Sequence, residues 1–221
     1  MPAESPALVT MDVGGTLGIA ERPGITAALV AASPLDPRDA VRLLRQRLHT
    51  ASAITDQLVD EVCRALRLPP TKFPRNMTPA PLRLFPEVPQ ALERISAVLP
   101  VVTLSNVTCI EAEPERLKSM LSLWVADHFP SCRIGYAKPD RRAFQVVASR
   151  WGLNTRQIVH IGDHWECDIL GAIHAGARAI WISKGRALPE ANRFVRSDVL
   201  VAANLGAAAE HVRDLCMRRP R

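Results

Sequence analysis

Short, unbroken apolar runs rich in β-branched residues recur along the chain at residues 7–13, 101–104, 158–161, 179–182 and 199–201. A strand with one wet face alternates apolar and polar residues, whereas a strand covered on both faces reads as a continuous apolar run. Helical patterns fill the intervals at residues 86–98, 113–123, 140–151, 165–175 and 204–217. Strand and helix in such alternation predict right-handed crossovers and an α/β fold with a doubly wound, mostly parallel, Rossmann-like sheet.

Residues 19–82 break the rhythm and show no strand pattern. Two or three amphipathic helices are expected there, one over 37–49, where Val41, Leu44 and Leu48 share a face, and another over 55–68, carrying Leu58, Val59, Val62, Cys63 and Leu66. Pro69, Pro70, Pro74, Pro79 and Pro81 follow, and so dense a set of prolines cannot be helical throughout. The organisation expected is therefore an α/β core made of residues 1–18 and 83–221, with residues 19–82 forming a small helical cap and a proline-rich return linker. A length of 221 residues suits one such domain with an insertion. The basic end, residues 217–221, is expected to be disordered.

Composition narrows the function classes. Lys and Arg total 28 against 22 Asp and Glu, a net charge of +6 that favours anionic ligands such as phosphate esters. The positive charges are scattered, there is a single Tyr, and no nucleic-acid-reading motif appears, so no nucleic-acid partner is expected. Five cysteines, Cys63, Cys109, Cys132, Cys167 and Cys216, form no C-x-x-C pair and read as reduced thiols. The longest apolar stretch in the middle of the chain, 97–104, is too short to span a bilayer, and no basic and apolar leader pattern opens the chain. The expectation is a soluble, cytoplasmic protein that meets no membrane and whose partner is a small phosphorylated molecule.

In a doubly wound sheet, ligands bind at the carboxyl ends of the strands, so polar residues there converge although distant in sequence. Asp12 ends the first run, Ser105 and Asn106 end the second, Lys138 lies in Gly135-Tyr136-Ala137-Lys138-Pro139-Asp140 before a helix, and Asp163 follows Gly162. A carboxylate beside a divalent cation can attack phosphorus and form an acyl phosphate. Hard oxygen ligands suit Mg²⁺, which binds through one or two carboxylates plus substrate phosphate.

Taken in order, Asp12-x-x-Gly15-Thr16, the strand-end Ser105, Gly135-x-x-Lys138-Pro139-Asp140 and Gly162-Asp163 with Asp168 and Gly171-Ala172 resemble the four motifs of the haloacid dehalogenase (HAD) superfamily. The resemblance covers the chain outside the insertion. It implies a Mg²⁺-dependent hydrolase of the phosphatase-like branch with a small helical cap of the C1 type, working through an aspartyl phosphate on Asp12. Asp12, Ser105 and Lys138 would be catalytic, and Gly14, Gly15, Ser105, Asn106 and Lys138 would bind phosphate. Asp12, the Gly14 carbonyl, Asp163 and Asp168 would hold Mg²⁺. Lys138 would also keep Asp12 ionised among neighbouring carboxylates, and Thr16 would bond within its loop.

Gly14 departs from the phosphatase pattern, which places there an aspartate that protonates the departing alkoxide and then activates water. The expected consequence is a phosphatase whose leaving group needs little protonation, or one with an acid supplied by His164, Glu166 or His49. The alternatives are another HAD chemistry, a dehalogenase or a phosphonatase, and a non-catalytic HAD-like binding or regulatory protein. Gly162-Asp163 argues against the dehalogenase, the lack of any lysine over 19–71 against the phosphonatase imine, and the retained carboxylates against the non-catalytic reading.

Overall fold

The computed structural model describes residues 4–189 and 199–217; the basic end 218–221 lies outside the described residues. Its strands are β1 (Leu8–Met11), β2 (Gly18–Ala20), β3 (Leu82–Leu84), β4 (Val101–Ser105), β5 (Val125–Pro130), β6 (Ile158–Gly162), β7 (Arg178–Ile182) and β8 (Val199–Ala202). Six of them form a parallel sheet in the order β5-β4-β1-β6-β7-β8. β1 is wholly buried and sits between β4 and β6, the point at which strand order reverses and the crevice opens.

The α-helices are α1 (Ile25–Ala32), α2 (Pro37–Arg47), α3 (Asp56–Ala65), α4 (Val88–Ser96), α5 (Pro114–Leu121), α6 (Ser131–Ile134), α7 (Arg141–Arg150), α8 (Gly171–His174) and α9 (Leu205–Met217). On one face of the sheet Val9 and Met11 of β1 pack with Val88, Leu92 and Ile95 of α4 and Leu205 and Val212 of α9. On the other face Leu8 packs with Phe144 and Val147 of α7 and Ala172 of α8. Covering both faces is what lets β1 be apolar throughout.

Residues 25–73 build their own core from Ile25, Leu29, Leu44, Leu48, Val62 and Leu66. Asp36 caps α2 by accepting from the Arg38 N–H at 2.9 Å, and Thr55 caps α3 by accepting from the Leu58 N–H at 3.1 Å. The expected absence of strands in this region is corrected: Gly18–Ala20 pairs antiparallel with Leu82–Leu84, a two-stranded ribbon through which the chain leaves and re-enters the core. Helix α1 is a third helix within the two or three expected, its position unmarked because its residues are small and weakly patterned, whereas β5, whose run is interrupted by Asp127 and His128, is not among the expected strands. The helix expected over 165–175 begins instead as a π-helical turn, Trp165–Leu170, before α8. π-turns of this kind are rare and cluster at functional sites. No helix among the described residues is long and apolar enough to cross a membrane, and all five cysteines are free.

Candidate active site

Asp12 leaves β1 at the centre of the sheet, where its backbone N–H donates to the Ile161 carbonyl at 2.9 Å. Lys138, fully buried, reaches it from the loop before α7: the ammonium lies 2.8 Å from Asp12 Oδ1 and 2.7 Å from Asp168 Oδ1. One oxygen each from Asp12, Asp163 and Asp168 lie within 4.8 Å of one another. A single buried cation thus joins the carboxylate that follows β1 to Asp168 of the turn after β6, with Asp163 beside them. Its donor set is all hard oxygen, which fits Mg²⁺.

Burial dominates the electrostatics. It pushes the Asp12 carboxyl up, Lys138 pulls it back, and Asp168 and Asp163 push it up again, so that Asp12 titrates at about 7. Lys138 favours the ionised form of Asp12 as expected, but burial and the neighbouring carboxylates leave that carboxyl above its ordinary range. Burial also raises Asp168, but Lys138 and the bond from His160 outweigh it and hold that carboxyl below the usual range. Burial pulls the Lys138 ammonium down, and the two carboxylates more than reverse this. A divalent cation would supply the further positive charge that Asp12 lacks.

Behind the cluster runs a buried polar chain that sequence reasoning missed. His160, inside β6, places Nδ1 2.8 Å from Thr10 Oγ1 and Nε2 3.3 Å from Asp168 Oδ1. A neutral imidazole protonated on Nε2 satisfies both contacts, and burial lowers its pKa accordingly. The remaining Asp168 oxygen accepts the His164 N–H at 2.8 Å. Asp168 thereby positions Lys138, while one of its oxygens also belongs to the three-carboxylate cluster that could hold a metal ion. The signal was available: a histidine in the middle of a wholly buried strand demands polar partners.

Several residues take roles other than those expected. The Gly15 N–H donates to the Gly18 carbonyl at 2.7 Å, so it is not a free phosphate donor. Gly15 is needed for another reason: its φ is +82°, and a Cβ there would fall 2.6 Å from the Asp163 carboxylate. The Asn106 amide is occupied by Lys138, accepting from its N–H at 2.8 Å and donating to its carbonyl at 2.7 Å, which fixes the lysine's backbone. Thr16 bonds within its loop through its backbone, the N–H donating to the Val13 carbonyl at 3.3 Å, while its hydroxyl is buried without a hydrogen-bond partner among the described residues. Asp163 meets two cations that no motif marks as its neighbours, Lys184 at 3.1 Å and Arg186 at 3.7 Å. Both are partly exposed, so the pairs are weak and displaceable.

Gly14 and Ser105 line a cavity of about 560 Å³ between the sheet and the helices of residues 25–49. None of the three candidate acids is set to replace the missing one. His164 Nδ1 accepts from the Cys167 N–H at 3.2 Å, capping the π-turn, and Glu166 is exposed and turned to Arg45 at 3.6 Å. His49 does line the cavity, but burial and then Arg45 drive its pKa down to about 4, so it is neutral at pH 7.

That shift sets a stability window. The unfolded chain takes up the proton near pH 6.5, while folded His49 refuses it until about 4. Stability at this group is thus full above pH 6.5 and falls as pH drops toward 4, by about 3 kcal/mol. His49→Gln is expected to flatten the fall in melting temperature between pH 6.5 and pH 4.5. An unchanged slope would contradict the assignment.

Residues 135–208 match the family model described as HAD-hydrolase-like. The phosphoserine phosphatase of Thermus thermophilus is 31% identical over 72 residues, 31% of this chain but only 29% of that protein. The glyceraldehyde 3-phosphate phosphatase of Methanothermobacter thermautotrophicus is 24% identical over 192 residues, 82% of this chain and 84% of that one. Among solved structures, a 2-haloacid dehalogenase from Pseudomonas syringae pv. Tomato superposes with a TM-score of 0.63 at 22% identity, covering 95% of this chain and 99% of its own. A HAD phosphatase from Thermococcus onnurineus superposes at 0.56 with 17% identity, covering 97% and 100%. At these identities the structural likeness speaks for the fold alone.

Proposed function

We propose that this chain, a hydrolase of the HAD superfamily, is a Mg²⁺-dependent phosphatase that acts on a small phosphorylated metabolite through an aspartyl phosphate on Asp12. The observation that carries the reading is the cluster itself, with Asp12 and Asp163 converging beside Lys138. Such a cluster is costly unless a cation completes it.

Asp12, Asp163 and the Gly14 carbonyl would hold Mg²⁺, which supplies charge stabilisation for the transferred phosphoryl oxygens. Asp12 attacks the phosphorus with the carboxylate oxygen not bonded to Lys138. The Lys138 ammonium, the Ser105 hydroxyl and the Val13 and Gly14 N–H groups face the negative charge spread over the transferred group. Asp168, braced by His160 and the His164 N–H, holds Lys138 at its station. Gly14 offers the leaving group no proton.

Gly14 alone also suits a dehalogenase, since halide leaves without a proton. A third carboxylate beside the nucleophile, and a buried lysine already shared by two of them, suit a dianionic phosphate bridged by a cation better than a haloacid with none.

With Mg²⁺, the protein is expected to hydrolyse p-nitrophenyl phosphate, whose phenolate leaves unprotonated. EDTA is expected to stop the reaction and Asp12→Asn to lower it by about 10³-fold or more. Saturating Mg²⁺ is expected to raise the melting temperature of the wild type by several degrees and that of Asp12→Asn much less. Chloride release from 2-chloropropionate, with no phosphate release from the aryl ester, would replace this reading by dehalogenation.

A further inference from the structure

The cavity beyond Gly14 has a chemical character of its own. Its walls are largely apolar, with Val30 and Val41 from the cap helices facing Val107, Leu117 and Met120 from the core. Most of the polar side chains among them are already engaged. Thr26 Oγ1 lies 2.8 Å from His49 Nε2, and Thr103 Oγ1 lies 2.8 Å from His128 Nδ1. The Glu111 carboxylate accepts the Ile25 N–H and the Thr108 hydroxyl, each at 2.8 Å. Arg116, the one full cation on the wall among the described residues, is paired with Glu113 at 3.4 Å, a partly exposed and therefore weak pair. Burial lowers the pKa of both histidines, so neither adds a positive charge at neutral pH.

Such a wall selects by what it lacks. Among the described residues, a leaving group bearing a carboxylate finds two carboxylates, Glu111 and Glu113, against a single cation, Arg116, that Glu113 already pairs. A polyhydroxylated one strips its hydroxyls of water and finds few free partners, since the unpaired His49 Nδ1 and His128 Nε2 are themselves buried, at about 1–3 kcal/mol for each group left unsatisfied. An apolar body gains about 25 cal/mol for each Å² it buries. The volume, about 560 Å³, lies in the range of pockets that enclose small organic ligands.

The second observation is independent of the first. Gly14 opens onto this same cavity, and a Cβ built there meets no atom within 4 Å. The position is empty space, not space filled by another acid. An alkoxide leaving past Gly14 would find no proton donor there. A phenolate needs none, because a phenol ionises near pH 10, as tyrosine does.

The geometry points to an aryl phosphate monoester, with an aromatic body free of carboxylates lying in the cavity, as the substrate class of this enzyme. This rests on the phosphatase reading above. In the first step an Asp12 oxygen bonds to phosphorus as the P–O bond to the aryl group breaks; the phenolate leaves with the electron pair and takes a proton from water. In the second, a water oxygen attacks the same phosphorus, the bond to Asp12 breaks, the carboxylate is restored, and the water's protons pass to phosphate and solvent. Water is the only co-reactant.

The test pairs binding with turnover. Equilibrium binding of 2-naphthol, which carries no phosphate, reads the cavity alone; kcat/KM with Mg²⁺ for 2-naphthyl phosphate, phenyl phosphate, phosphoserine and glyceraldehyde 3-phosphate reads the reaction. Saturable naphthol binding is expected, with the naphthyl ester turned over about tenfold better than the phenyl ester through its larger buried area. Both alkyl esters are expected to be at least about 10²-fold poorer. Ala27→Trp narrows the cavity from an exposed position on α1 and is expected to weaken naphthol binding and erase the preference for naphthyl over phenyl. Absence of naphthol binding, or alkyl esters turned over as well as the naphthyl ester, would overturn the aryl class while leaving the phosphatase standing. Naphthol binding with no turnover of any ester would instead overturn the phosphatase reading, and the substrate class with it.

Discussion

Replacing Gly14 with aspartate is expected to raise hydrolysis of alkyl phosphates by about 10²-fold or more, while aryl esters gain less than about tenfold. The difference isolates proton donation, because only the alkoxide needs the proton. The substitution is sterically open: Gly14 has no positive φ, and its Cβ direction meets nothing within 4 Å. Its neighbour Gly15 is the control. There a side chain is strained at φ +82° and collides with Asp163 at 2.6 Å, so Gly15→Ala is expected to impair Mg²⁺ binding and hydrolysis of both esters together. The new carboxyl at position 14 must also be protonated to act, so Gly14→Asp is expected to lose alkyl-ester activity on the alkaline side. The wild type, with no acid there, is expected to show no such fall on the aryl ester. Equal gains for the two ester classes would mean that the side chain acts through something other than proton transfer.

Replacing Lys138 with methionine is expected to be the most destructive single change. Two buried carboxylates, 2.8 and 2.7 Å from the ammonium, would lose their shared counter-ion. Removing one partner of a buried ion pair costs about 3–5 kcal/mol, because the remaining charge is left uncompensated. The loss should depend on pH in a definite direction. Asp12 has a folded pKa raised to about 7, so it binds its proton more tightly folded than unfolded and favours the fold as pH falls through that value. Neutralised Asp12 no longer repels Asp168. Urea unfolding of Lys138→Met against the wild type is therefore expected to show a larger deficit at pH 8 than at pH 6, and Mg²⁺ is expected to recover part of it at pH 8. A deficit below about 1 kcal/mol at both pH values would mean that the lysine is not the cluster's keystone.

The central sheet was legible because its strands are buried on both faces, and the polar residue that ends such a run must sit at the strand's carboxyl end. Asp12, Ser105 and Asp163 were found in that way, and the strands they close are β1, β4 and β6. β5 was not legible, because Asp127 and His128 interrupt its run and His128 is accommodated only by a partner on the next strand, Thr103. The ribbon of β2 and β3 offers three residues a side, too few to show a period. Side-chain commitments lie further beyond reach. That Asn106 spends its amide on the Lys138 backbone, or that the Gly15 N–H belongs to Gly18, depends on loops brought together only by the fold. Lys184 and Arg186 reach Asp163 from beyond β7, and no local pattern marks them as its neighbours. The character of the cavity is a property of pairs such as Thr26 with His49, and no single position carries it.

A glycine at position 14 also bears on the second half of the reaction. Without a base to activate water, breakdown of the acyl phosphate should be slower than its formation from an aryl ester, and the intermediate should accumulate. Rapid mixing with 2-naphthyl phosphate and Mg²⁺, followed by acid quench, intact-mass measurement and peptide mapping, reads this directly. The expected result is a burst of naphthol approaching one per chain, with a single phosphoryl group on Asp12 that is absent from Asp12→Asn and much reduced in Gly14→Asp. Release of naphthol and phosphate with no phosphoryl group on Asp12 in the wild type, or an adduct that survives Asp12→Asn, would contradict Asp12 as the nucleophile.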